Sequence, residues 1–325
     1  MTEWQIPPDG GHMDRATGIY SQTMTGKQIE DRLEENDLII IPIGSTEAHG
    51  LAQNPGEDTF LVTRQAEQIA QATGCTVAEP IWYGSHPFHH LGMPGNIVIP
   101  EETFNAYLRA VIAGYWNAGF RKQILLNGHG QDYVIPTAMH QFGKKYQVPA
   151  ILVNVNWWFV IPEHLRDKEH GGPFDTPFIH GDECEASFSL ALFPEFLDME
   201  YAEKTSFTPL MPPGHINKSG SALPLEEAPL PFWQQVGGSP LEVVATPEGL
   251  VGDATLADPE KARGGVNAIL DYLERLVNDI MEKYPPGVLP PIDQVSMRPR
   301  EDVEAVLKGP KEPGGRHLYT FAYPP

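Results

Sequence analysis

The chain has 325 residues and a formal net charge of −21. That length can bury a full core, as one large domain or two. The acidic balance argues against nucleic acid and anionic membrane as partners, because both require basic surface. Two cysteines, Cys75 and Cys184, make no disulfide framework and fit a reducing cytoplasm. No basic patch followed by an apolar run opens the chain, and no apolar stretch is long enough to span a bilayer. A cytoplasmic protein with no membrane partner is expected.

Residues 1–26 read as irregular, around Pro7, Pro8, Gly10 and Gly11. A helix is predicted over Gly26 to Glu35, then a buried strand over the apolar run 38–43. Helical periodicity runs from Thr59 to Thr73, with Asp58 as its cap and Gly74 as its stop. A second strand is predicted over Thr76 to Ile81. An amphipathic helix follows over Glu101 to Ala118, with Phe104, Leu108, Val111, Ile112 and Tyr115 on its apolar face. Lys122 to Leu126 reads as a third strand, Ile135 to Tyr146 as a helix, and Pro149 to Val155 as a fourth strand. Further helices are predicted over Glu183 to Leu192 and Asp258 to Tyr284, the last with Ile269, Leu273, Leu276 and Ile280 inward. Alternating strands and helices imply an α/β fold of three layers, αβα, with a mostly parallel central sheet. Residues 1–284 read as a single domain. Within it, 195–257 is rich in Pro and Gly and reads as loops over a site or against a partner subunit. Residues 285–325 read as a Pro-rich tail wrapped over a surface.

The strand at 38–43 runs into Gly44-Ser45-Thr46-Glu47-Ala48-His49-Gly50, with Asp58 eight residues on. Open α/β sheets bind ligands at the carboxyl ends of their strands. Glu47 and His49, two apart, point to one side of extended chain. Two carboxylates and an imidazole suit divalent ions such as zinc or manganese. The plainer reading is an exposed loop acid beside a polar loop histidine. The third strand ends in Asn127-Gly128-His129-Gly130-Gln131, so a second strand terminus supplies an imidazole. A second terminus favours a metal site over a turn histidine. The cluster His180-Gly181-Asp182-Glu183-Cys184-Glu185 opens a helix. Its acids have a structural explanation in the helix dipole, whereas His180 does not. Cys184 reads as a small packed residue. The loop from Tyr83 to Gly95 holds Ser85, His86, His89 and His90 and suits a substrate lining, with His90 reaching the site. Trp157-Trp158 suits a wall or lid over a small polar ring, or else core or subunit contact. No phosphate loop and no Gly-x-Ser-x-Gly elbow occurs, which favours metal-activated water over a serine nucleophile.

Taken in order, these motifs resemble the creatininase (creatinine amidohydrolase) family over about residues 25 to 283. The matching stretches are Gly44 to Gly50 with Asp58, Tyr83-Gly84 through His90 to Pro94-Gly95, Asn127 to Gly130, His180 to Ser187, and Gly249-Leu250-Val251-Gly252. The resemblance implies two divalent ions: zinc, manganese or iron. Glu47 and His129 would hold one ion and His49 the other, with Asp58 bridging and Glu185 completing the second. It also implies a homo-oligomer, often a hexamer, and a small cyclic substrate. Water activated between the ions would attack a ring carbonyl, and His180 or Glu183 would protonate the leaving atom. Ser85, His90, Gln131, Trp157 and Trp158 would line the substrate. Two departures set this chain apart from creatininase proper. Gln131 stands where a glutamate is usual, and Leu51-Ala52-Gln53-Asn54 replaces Pro-His-Leu-Pro. General likeness favours the branch that includes 3-dehydro-scyllo-inosose hydrolases, which cut a C–C bond. A cyclic amidohydrolase cutting C–N, and a metal-dependent sugar isomerase or epimerase, are the alternatives. A non-catalytic protein with a decayed site is a further one.

Overall fold

The computed structural model describes residues 15–85, 92–131, 133–205 and 249–322. The regular elements, in chain order, are α1 (Gly26–Glu35), β1 (Leu38–Ile43), α2 (Glu57–Thr73), β2 (Thr76–Val77), α3 (Glu101–Asn117), β3 (Lys122–Asn127), α4 (Val134–Tyr146), β4 (Ile151–Asn156), α5 (Trp157–Val160), α6 (Glu183–Leu192), α7 (Pro259–Lys283), α8 (Ile292–Val295) and α9 (Arg300–Lys308). The four strands form one parallel sheet in the order β2-β1-β3-β4.

The sheet is covered on both sides, as parallel sheets must be. Leu38 and Ile40 of β1 face one cluster with residues of α2, α6 and α7. Ile39, Ile41 and Ile43 face the other, with residues of α3, α4 and α9. That alternation turns an unbroken apolar run into the middle of three layers. Local chemistry sets the helix ends. Thr25 and Gln28 form a reciprocal capping box at the start of α1. Gly74, at φ 71°, ends α2 in the left-handed conformation that glycine adopts cheaply. Asp258 caps α7, and Pro259 takes its first position.

Three expectations change. β2 stops at Val77, because Pro80 has no N–H to give. Ala78 donates to Ile40 O, the next donor in register would be residue 80, and Ile81 donates to Pro42 O in its place. Asp58 does not cap α2: Gly56 is the cap residue and Asp58 sits in the first turn. The tail contributes to the core as well as wrapping it. Val303, Val306, Leu318 and Phe321 join the second cluster. Buried Lys122 donates to Asp37 (2.5 Å) and to Pro285 O (3.0 Å), which bolts the tail's start to the amino end of the sheet.

Candidate metal centre

The carboxyl end of the sheet gathers the chemically suited side chains. Glu47 and His49 follow β1, His129 follows β3, and Glu57 and Asp58 start α2 beneath them. Two close approaches make this possible. A Cβ on Gly128 would overlap Asp58 O, and one on Gly44 would overlap the Thr59 backbone. Only glycine lets the strand ends meet the start of α2 so closely. Asn127 shapes the histidine turn, donating to His129 O (2.7 Å) and accepting from His129 N (3.2 Å).

All of these ligand-type side chains are buried. His129 Nδ1 lies 2.8 Å from Glu47 Oε2 and 3.2 Å from Asp58 Oδ2. The other Asp58 oxygen, Oδ1, faces His49 Nε2 at 3.6 Å. Asp58 thus presents one oxygen to each imidazole, the arrangement a bridging carboxylate requires. His49 Nδ1 lies 3.0 Å from Glu47 O. A carbonyl only accepts, so Nδ1 carries the proton and the Nε2 lone pair points inward in the neutral ring. Nε2 is buried without a hydrogen bond and is ringed by Asp58, Glu57 and Glu185 oxygens at 3.6, 3.7 and 3.8 Å. Those spacings are too long for hydrogen bonds. They are close to the roughly 3.4 Å that separates donors placed tetrahedrally about 2.1 Å from a zinc ion. The residues therefore fit a pair of divalent ions. Three overlapping triads have ligand atoms within 4.8 Å of one another: Glu47-His49-His180, Glu47-Asp58-His129 and His49-Glu57-Asp58.

Glu57 is the residue that sequence reasoning missed. Beside Asp58 it passes for an ordinary first-turn acid, and the signal available was two adjacent acids after a motif histidine. It is buried, and the Ser189 hydroxyl donates to its Oε1 at 2.8 Å. Glu185 accepts from Gly181 N and lies 3.9 Å from His180 Nδ1. His180 Nε2 donates to Ala48 O at 2.9 Å, and its ring lies 4.5 Å from that of His49. An antiparallel bridge from His180 to Val251 brings the late Gly249-Leu250-Val251-Gly252 segment against this loop.

Glu183 turns out to be a brace. Its carboxylate accepts from Asp175 N (3.0 Å), Thr176 N (2.8 Å), Thr176 Oγ1 (2.8 Å) and Lys261 Nζ (2.5 Å). No lone pair is left for proton transfer. Gln131 braces as well, accepting from Ser85 N (2.9 Å) and donating to Gly44 O (2.9 Å). Its amide fixes the two loops flanking the centre, and Ser85 is buried with them. Trp157 packs against Phe188 at 4.8 Å in the first core cluster, and Trp158 joins that cluster edge-on to it. Neither is a free lid. Cys184 is packed in the same core. His90 lies outside the described residues, as does 206–248 of the expected covering loops.

Without cations the centre is crowded with acid. Burial, with Asp58 nearby, lifts Glu57 to about 8, and burial lifts Glu185 well above the carboxylate range. Burial opposes charge on His49 and His129, but the carboxylates around them outweigh it and hold both well above 6.5. All four groups bind protons more tightly folded than unfolded. Their stabilisation is present at low pH and is lost as pH rises through the raised values. Chelator-treated protein should therefore show a Tm that falls between pH 5 and about 8. Saturating zinc, which binds deprotonated ligands, should remove that fall. A metal-free Tm that rises over this window would contradict the electrostatics described.

The α/β architecture and buried centre, together with the family and relative that follow, place the chain among metal-dependent hydrolases. The creatininase family model, described as creatinine amidohydrolase, matches residues 22–277, and the chain belongs to that family. It is 59% identical over 308 residues to the 3-dehydro-scyllo-inosose hydrolase of Thermotoga maritima, covering 95% of this chain and 98% of that one. Solved creatininases share the fold. A manganese form superposes with a TM-score of 0.60 at 19% identity, covering 82% of this chain and 99% of its own. A zinc–zinc form of a variant gives 0.60 at 18%, covering 82% and 98%. No helix among the described residues is long and apolar enough to cross a membrane.

Proposed function

We propose that this chain is a dinuclear metal hydrolase that opens the ring of 3-dehydro-scyllo-inosose at a C–C bond. The observation that carries the substrate is the 59% identity, spread over nearly all of both chains, to the hydrolase of that name. The chemistry is supported by the buried carboxylate–imidazole centre. Manganese and zinc in solved creatininases support the kind of ion. A cytoplasmic homo-oligomer, a hexamer by family resemblance, completes the reading. Two unpaired, buried thiols support a reducing compartment.

Glu47 and His129 would hold one ion and His49 the other, with Asp58 shared between them. When bound, the ions lower the pKa of water and polarise a carbonyl. The residues supply the remainder. Water adds to one ring carbonyl, and the bond to the carbon between the two carbonyls breaks. Its electron pair moves onto that carbon and the second carbonyl, as an enolate. His180, beside Glu185, is placed to deliver the proton that quenches it. Gln131 and Gln53 hold the surrounding backbone. Gln53 donates to His49 O (3.2 Å) and Gly181 O (2.8 Å), so the loops bearing His49 and His180 keep a fixed spacing.

The test is turnover of the diketo-inositol by metal-loaded protein in heavy-oxygen water. We expect a ring-opened acid heavier by one water, with one heavy oxygen in the new carboxylate. A product of unchanged mass, isomerised at carbon, would refute hydrolysis. Rapid opening of creatinine with no action on the diketone would move the activity to the C–N bond.

A further inference from the structure

We propose that Glu57 is the carboxylate that completes the second ion's coordination, with Glu185 left to serve His180. The inference rests on the two-metal reading above and names its ligands more closely. The facing atoms carry it. His49 Nε2, fully buried and with no hydrogen bond, points at Glu57 Oε2 (3.7 Å) and Asp58 Oδ1 (3.6 Å). An imidazole lone pair and two carboxylate oxygens at these separations form one face of a coordination sphere. Glu57 is presented for it. The Ser189 hydroxyl holds Oε1 at 2.8 Å, which turns Oε2 towards His49. Such an outer hydrogen bond is what orients a ligating carboxylate.

Glu185 is differently placed. Its Oε2, the oxygen nearest His49, already accepts the Gly181 N–H and lies 3.9 Å from His180 Nδ1. An oxygen shared between a backbone donor and an imidazole suits orientation of that imidazole. Glu57 and Asp58 are also consecutive in the first turn of α2, so a single rigid element delivers both second-site carboxylates. Gln131 is neutral, with both ends of its amide committed, and contributes no charge to the centre.

The experiment is calorimetric titration of metal-stripped protein with zinc, with elemental analysis of the recovered samples. Wild type should take two ions per chain. Glu57→Gln should keep one tight ion and lose affinity for the other by about 100-fold or more. Glu185→Gln should take both within a few-fold of wild type. Ser189→Ala, which removes only the orienting hydroxyl, should weaken the second ion by roughly 10-fold. It serves as the readout if Glu57→Gln fails to give a native circular dichroism spectrum. Two tight ions in Glu57→Gln, or loss of an ion in Glu185→Gln, overturns the assignment. A wild type that takes no ion at all fails the metal reading itself, a separate outcome.

Discussion

Asp58→Ala is expected to empty both metal positions. Its two oxygens face different imidazoles, Oδ2 towards His129 at 3.2 Å and Oδ1 towards His49 at 3.6 Å, so on the proposed two-ion reading one substitution removes a ligand from each. Glu47 already pairs with His129 at 2.8 Å and Glu185 Oε2 already accepts from Gly181 N, so neither supplies a second bridge. Metal content should fall from two ions per chain to below one. Metal ions contribute several kcal/mol of transition-state stabilisation, so turnover should drop by about 10³-fold or more. The fold should survive. Asp58 does not cap α2, and its removal relieves the repulsion it imposes on Glu57 and Glu185. Near-native helical content with empty sites is thus the expected pair of readings. Full occupancy in the variant would end the bridging assignment.

The parts of this fold that could be read in the sequence are those governed by local chemistry. β1 is an unbroken apolar run and is buried throughout. The ends of α1, α6 and α7 follow from caps written into Thr25, Asp182 and Asp258. Glu47, His49, Asp58 and His129 were legible because they stand at strand ends or at the helix start that closes on them. What could not be read was side-chain direction. Glu183 and Glu185 lie two apart, and on a helix that separation turns one residue about 200° from the other. Glu183 therefore meets Lys261 and the 175–176 backbone, while Glu185 meets the centre. Glu57 was hidden for a related reason. The helix dipole alone explains an acid in the first turn. Only the packing of α2 under Gly44 and Gly128 turns that acid into a neighbour of His49. Trp157 stayed open between wall and core because nothing local separates the two. Phe188 on α6 decides it.

His180→Ala should separate proton transfer from metal binding. The ring's Nε2–H is committed to Ala48 O at 2.9 Å, so the nitrogen nearest Glu47 is not available as a lone-pair ligand. Nδ1 faces the Glu185 carboxyl group at 3.9 Å. With 8% of its surface exposed, His180 is also the most open of the histidines in the cluster. Positioned proton transfer is worth about 10²–10⁴-fold. The variant should therefore lose kcat by that factor, hold two ions, and bind substrate with little change in KM. Glu185→Gln, which alters the carboxyl group facing that ring, should lower kcat in the same direction. If His180→Ala instead emerges with one ion missing, the ring is a ligand through Nδ1. The Glu47-His49-His180 triad would then be part of the metal centre, and the proton would have to come from another group.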